Sequence, residues 1–204
     1  MKKIIYTLLF LVLINCSTKK ESNSLYSDTL IQKTFTKNEI KDLQKILDFF
    51  NSEICKSAQE NINDCYLNYC SKIRTEIKKH GMYKVHIDFQ KQYEIYKQIN
   101  SNTFSEIWLF QQSLPLRERK DTLKYLGFNN NSKYIKFLNE YGKENKAVKD
   151  YVNSFNIASD FGPSMISQVI MNYEAFQIED IKSKLLIAIH YLTLNDQNLR
   201  KEKY

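Results

Sequence analysis

Three cysteines lie close together in the sequence, at Cys55, Cys65 and Cys70, and side chains of this type form disulfides or bind metal ions. Cys65 and Cys70 are five positions apart, so on a helix their side chains point about 140° away from each other and cannot join. Two pairings remain open, Cys55 with Cys65 and Cys55 with Cys70, and we expect the third thiol to be buried. A zinc site that adds His80 is the alternative, but the spacing matches no standard zinc motif. We therefore predict a disulfide and no metal site.

His190 lies within a strongly apolar segment near the C-terminus. A histidine in an apolar pocket can act as a general base when a carboxylate orients its ring, and Asp160, Glu174 or Asp196 could supply that group. A core histidine that bonds a tyrosine or a backbone group is the simpler interpretation. The chain also lacks the G-x-S-x-G, H-E-x-x-H and phosphate-loop motifs. We predict a non-catalytic protein without a cofactor, and we keep a hydrolase based on His190 as the alternative.

Aromatic side chains are abundant, with 14 tyrosines and 12 phenylalanines. Tyrosine combines a large apolar body with a polar tip, which suits surfaces that contact other molecules. A stripe that includes Tyr83, Tyr93 and Tyr96, and a cluster around Trp108, exceed what one core face needs. We predict that these four residues contribute to a groove for a peptide or a glycan. The alternative is that they fill a core that is short of leucine.

Residues 1–20 have the pattern of an export signal. Two lysines precede an apolar run, Ile4–Ile14, which ends at Asn15 and Cys16. The run is too short to span a bilayer as a helix, which needs about 20 residues. The segment ending at Cys16 resembles the lipobox of bacterial lipoproteins, although a smaller residue than Asn15 is more usual before the cysteine. The resemblance implies that Cys16 is diacylated, that it holds the chain on a lipid bilayer, and that the protein belongs to the bacterial cell envelope.

Composition favours a helical domain. Four glycines and two prolines are too few for a sandwich or barrel of many short strands. The formal net charge is +7, but an exported protein rarely meets nucleic acid, and no nucleic-acid motif is present. Anionic lipid or a cell-wall polymer is a better match for that charge. We predict an all-α fold, an irregular bundle of about seven or eight helices, and no nucleic acid as a partner.

Local signals mark several helix ends. Thr36 and Glu39 form a capping box, which predicts a helix over Lys37–Ile54. Gly81 predicts the end of a second helix. The segment Tyr83–Ile87 alternates like a strand, but the pattern offers it no partner strand, so we expect an extended connector.

The middle of the chain is also assigned to helices. Thr103 is expected to open a helix that carries Phe104, Trp108 and Phe110. The stretch Thr122–Leu126 is expected to form a short turn that ends at Gly127. Neither segment is predicted to be a strand.

The predicted boundaries divide the chain into four parts. Residues 1–15 form a signal peptide, 16–34 the lipidated cysteine and a flexible tether, 35–195 the helical domain, and 196–204 a charged tail. The predicted function is that of a membrane-tethered bacterial lipoprotein that acts as a non-catalytic binding or protective module. Its partner would be an envelope protein, a peptide or a glycan.

Overall fold

The computed structural model describes residues 24–112 and 122–202, so the predicted signal peptide and Cys16 lie outside the described residues. The described residues form nine α-helices, two short 3₁₀ turns and two strands. No helix among them is long and apolar enough to cross a bilayer. The elements are α1 (Thr29–Thr34), α2 (Lys37–Ile54), α3 (Ile62–His80), α4 (Phe89–Gln98), α5 (Ser101–Ser105), β1 (Trp108–Gln112), β2 (Lys124–Phe128), α6 (Lys133–Tyr141), α7 (Lys146–Ala158), α8 (Pro163–Asn172) and α9 (Ile181–Leu199).

The helix ends follow from short-range hydrogen bonds. The Thr36 hydroxyl accepts a hydrogen bond from the Glu39 amide, and the Glu39 carboxylate accepts one from the Thr36 amide, so both halves of the capping box are present. Helix α3 ends at Gly81, whose φ of 67° is the left-handed conformation that glycine adopts without strain. The bounds predicted for α2 and the end predicted for α3 are confirmed.

Helix α9 forms the centre of the molecule. Every residue from Ser183 to Asp196 is buried, because α2, α4 and β2 pack around this helix. A helix that is enclosed on all sides needs apolar side chains around its whole circumference. Its sequence accordingly shows a continuous apolar segment rather than one apolar stripe.

Strands β1 and β2 form an antiparallel hairpin, so the all-α prediction is too strict for a fold that is mostly helical. Trp108 pairs with Phe128, and Phe110 pairs with Leu126. The helix expected from Thr103 stops at Ser105. The apolar spacing there spans barely one turn, which is too short to distinguish a helix from a turn that enters a strand.

Both ends of the packed domain extend beyond the predicted boundaries. Leu25 and Ile31 are fully buried, and α1 packs against α6, so residues 24–34 belong to the domain rather than to a flexible tether. At the other end, α9 continues to Leu199. The Lys124 amide then donates a hydrogen bond to the Glu202 carbonyl, which ties the predicted tail to β2.

Candidate functional site

A groove of about 350 Å³ opens beside the C-terminal end of α9. It lies between α4, α5 and β1, and we call it the aromatic groove. Its lining includes Tyr93, Tyr96, Lys97, Phe104, Phe110 and Arg200. Helix α4 is positioned by its N-cap, because the Asp88 carboxylate accepts hydrogen bonds from the amides of Gln90 and Lys91.

Arg200 lines this groove and packs against one of its aromatic rings. Its guanidinium lies 4.7 Å from the centroid of the Phe110 ring. Its Nε and Nη2 donate hydrogen bonds to the two carboxylate oxygens of Asp196, each at 2.7 Å, and its Nη1 donates to Glu202 at 2.8 Å. The Arg200 side chain is only 5% exposed and that of Asp196 is 0% exposed. Burial raises the pKa of the Asp196 carboxyl above its usual value, although Arg200 acts in the opposite direction.

The lysines beside the groove are paired as well. Lys97 Nζ lies 2.9 Å from the Glu94 carboxylate and 4.5 Å above the Tyr93 ring. Lys124 Nζ lies 3.0 Å from the Glu202 carboxylate. These cations are committed to partners, so the groove offers aromatic faces rather than a binding site for an anion. Such faces suit apolar side chains and the apolar faces of sugars.

Two of the four predicted binding residues lie in this groove, and one does not reach the surface. Tyr93 is 39% exposed and Tyr96 is half-buried. Trp108 is buried behind the groove, where its Nε1 donates a hydrogen bond to the Thr193 hydroxyl at 2.8 Å. The prediction of Trp108 as a surface residue is therefore wrong, because β1 turns its side chain toward α9.

Tyr83, the fourth predicted residue, lines a second groove of about 480 Å³, which we call the edge groove. Its lining includes Met82, Tyr83, Val85, Asn195, Asn198 and Leu199. Met82 is 74% exposed and Leu199 is 40% exposed. Leu199 and Arg200 are consecutive, so the two grooves flank the same end of α9. Asn195 is fully buried, and its Oδ1 has no hydrogen-bond partner within the described residues.

His190 is sealed inside the core. Its ring is fully buried, and its Nδ1 lies 3.1 Å from the Tyr151 hydroxyl. The ring of Phe161 packs against it with centroids 5.0 Å apart. Burial lowers the pKa of His190 to about 3, so the imidazole is neutral near pH 7.

The carboxylates proposed for His190 are engaged elsewhere. The Asp160 carboxylate accepts a hydrogen bond from the next backbone amide along the chain, Glu174 forms an ion pair with Arg74, and Asp196 holds Arg200. None of these three groups bonds the imidazole in the described structure. The arrangement assumed for a hydrolase based on His190 is therefore not formed.

The three cysteines separate into one pair and one buried thiol. A disulfide joins Cys55 to Cys65, one of the two pairings that the sequence left open, and closes the turn between α2 and α3. Cys70 is free and buried, and burial raises the pKa of its thiol to about 12. It is therefore protonated and unreactive at neutral pH.

A Glu60 carboxylate oxygen lies within 4.8 Å of both paired sulfurs, but sulfurs joined to each other are not the thiolates that a metal ion requires.

Arg200 is the important groove residue that the sequence pattern missed. It falls in the segment predicted to be a charged tail, although an aspartate four positions earlier, Asp196, indicates an ion pair on one helix face. Phe104 and Phe110 were noted as aromatic, but their assignment to one helix did not place them around a groove. The end of α5 at Ser105 and the pairing of β1 with β2 bring Phe104 and Phe110 together there.

Searches against protein-family models, curated proteins and solved structures return no match for this chain.

Proposed function

We propose that this protein is a lipid-anchored module of the bacterial cell envelope that binds a partner and does not catalyse a reaction. The observation that carries the proposal is the surface at the end of α9. There the aromatic groove and the edge groove flank the C-terminal end of α9, and three of the seven exposed large apolar side chains of the described residues, Met82, Tyr93 and Leu199, line the two.

Exposed apolar and aromatic groups that cluster in grooves support an interaction surface. The centres of protein interfaces are enriched in tyrosine, phenylalanine, methionine and arginine, and these residue types line the two grooves. The absence of a carboxylate beside His190 in the described structure favours binding over hydrolysis. The partner class that we propose is an envelope protein, peptide or glycan.

The proposed lipid anchor rests on the sequence pattern that ends at Cys16. Two acyl chains on Cys16 would contribute about 0.8 kcal/mol for each buried methylene, which holds a protein on a bilayer where one chain does not. Metabolic labelling with an alkyne analogue of palmitate should mark the wild-type chain and the Cys70→Ser control, but not Cys16→Ala. An unlabelled wild-type chain would contradict the anchor.

Site-specific photocrosslinking tests the binding surface. We would place a photoreactive amino acid at Tyr93, in the aromatic groove, or at Ile157, which is 87% exposed on α7 and serves as the matched control. In living cells the Tyr93 position should give a discrete crosslinked product that the Ile157 position does not give. Identical products from both positions, or none from either, would count against the proposed surface.

A further inference from the structure

The segment that connects α3 to α4 has the form of a β-strand without a partner. Residues Met82–His86 belong to no helix, turn or strand, Ile87 lies at a bend, and the side chains of this segment alternate between exposed and enclosed positions. Met82, Lys84 and His86 are exposed, whereas Val85 and Ile87 are buried. An alternation with a period of two is the pattern of a strand that packs one face on a core. The sheet in the described residues contains β1 and β2 alone, so this segment pairs with neither.

One edge of this segment is closed by carboxylates from neighbouring helices. The Lys84 amide donates a hydrogen bond to Glu76 at 3.2 Å, and the Asp88 amide donates one to Glu53 at 2.9 Å. In an extended chain the amide and the carbonyl of one residue point to the same edge, and those of the next residue point to the opposite edge. The amides of Lys84 and Asp88 on this edge therefore already have carboxylate partners, on α3 and α2 respectively.

The opposite edge carries the peptide groups of Tyr83, Val85 and Ile87. The Ile87 carbonyl accepts a hydrogen bond from Asn195 Nδ2 at 3.3 Å, which places this edge beside the end of α9. The peptide groups of Tyr83 and Val85 bond no other group within residues 24–112 and 122–202. The edge groove runs along these two residues, and Asn195, whose buried Oδ1 has no hydrogen-bond partner within the described residues, also lines it.

A second extended backbone can form hydrogen bonds with the free amides and carbonyls along such an edge. Many binding domains use this geometry, in which a peptide adds to a free strand edge and side-chain pockets give selectivity. Met82 and Leu199 would supply apolar contacts at the rim of the groove. An unpaired peptide group that is shielded from water costs about 1–3 kcal/mol, so a peptide that satisfies it gains affinity.

The charge around the segment indicates the character of the peptide. Lys78 and Lys79 lie in the last turn of α3, and Lys84 lies within the segment itself. All three lysines are exposed, and none forms an ion pair with the described residues. The nearby acidic groups, Glu53 and Glu76, are occupied by the closed edge. An acidic ligand is the electrostatic match for this rim.

We infer that the edge groove binds an extended, acidic peptide segment of a partner protein, which adds as a strand along Tyr83–Ile87. The inference deepens the proposed binding function, on which it rests, by naming the partner class. It involves the backbone of the connector and Asn195, whereas the crosslinking test above concerns the aromatic groove.

A displayed library of random seven-residue peptides, panned on the full chain in detergent, tests this inference. Selected peptides should be enriched in Asp and Glu, and their binding should weaken in a Lys79→Glu/Lys84→Glu variant. Bound peptide should also slow hydrogen–deuterium exchange in residues 82–87. No enrichment of acidic peptides, or no change in exchange there, would overturn the inference.

A proline substitution separates backbone pairing from side-chain contact. Tyr83→Pro removes an amide that the fold itself does not use, and Tyr83→Ala removes the same ring but keeps the amide. We expect Tyr83→Pro to bind the selected peptides about tenfold more weakly than Tyr83→Ala, as the loss of one shielded hydrogen bond would cause. Equal affinity of the two variants would overturn strand addition.

The crosslinking test at Tyr93 and the peptide-binding test at residues 82–87 distinguish failure of the proposed function from failure of the strand-addition inference. A partner that crosslinks at Tyr93 while peptides ignore residues 82–87 would refute the strand edge and leave the proposed function standing. If the Tyr83 and Val85 amides already exchange slowly in the isolated chain, the occupant is a segment of this chain or a second copy, and the inference is wrong.

Discussion

Replacement of Arg200 by methionine should destabilise the protein far more than an exposed arginine would. Arg200 forms two hydrogen bonds of 2.7 Å with the fully buried Asp196 carboxylate. Methionine keeps an apolar side chain over Phe110 but removes the charge. The Asp196 carboxylate would then be buried without a counter-ion. The loss of one member of a buried ion pair typically costs about 3–5 kcal/mol of unfolding free energy.

A double variant separates the cost of the unpaired charge from the cost of lost packing. In Asp196→Asn/Arg200→Met no charge remains to be buried, and neutral replacements for buried ion pairs are often tolerated. We therefore expect the double variant to be more stable than the single Arg200→Met variant. The difference between them measures the cost of an unpaired Asp196.

The loss should also depend on pH. Burial raises the folded-state pKa of Asp196, and removal of Arg200 takes away the interaction that lowers it, so this pKa rises further in the variant. The folded state then binds a proton more readily than the unfolded state, whose Asp pKa is about 3.9. The loss is complete above the folded-state pKa and shrinks as the pH falls toward the unfolded value.

Urea unfolding of the three proteins at pH 7.5 and pH 5 measures these effects. Arg200→Met should be least stable relative to wild type at pH 7.5 and should recover part of the difference at pH 5. A loss below about 1 kcal/mol, the range of exposed ion pairs, would refute the assignment of this pair to the core. An equal loss at both pH values would refute the proposed protonation of Asp196.

Two further predictions concern the core and the turn between α2 and α3. The folded-state pKa of His190, about 3, lies below its unfolded value of about 6.5, so this residue should lower wild-type stability as the pH falls from 6.5 toward 3, by up to about 5 kcal/mol. His190→Leu should flatten that dependence in pH-resolved urea titrations, and parallel curves would contradict it. Cys55→Ser/Cys65→Ser should lose about 2–3 kcal/mol because the disulfide closes a short loop. A phosphine reductant should destabilise the wild type to the same extent and leave the double variant unchanged, and any other outcome would contradict the assigned stabilisation.

The features that local signals encode could be predicted from the sequence. The capping box at Thr36 and the glycine at position 81 act through neighbouring residues, so the ends that they mark were recognisable. The hairpin was missed because Trp108 and Phe128 belong to segments that are separated in the chain. Leu25 and Ile31 looked like isolated apolar residues in a polar segment, and only the docking of α1 on α6 explains their burial.

The candidate site was predictable to a smaller extent. Tyr93 and Tyr96 could be selected because they lie close together on a helix, whereas Trp108 was misplaced because residue type does not reveal which way a strand turns its side chain. Arg200 required the knowledge that α9 continues beyond the predicted end of the domain. The peptide groups of the edge groove have no sequence signal, because every residue except proline carries the same donor and acceptor.

The position of α9 in the fold has a consequence for how the chain matures. Helix α9 follows α2, α4 and β2 in the chain, so the core that they share with it cannot close until α9 has been synthesised. The core around α9 therefore stays incomplete until synthesis has passed Leu199. Under the export proposed above, a translocation channel that accepts only unstructured chains would meet an incomplete core until this helix has been synthesised.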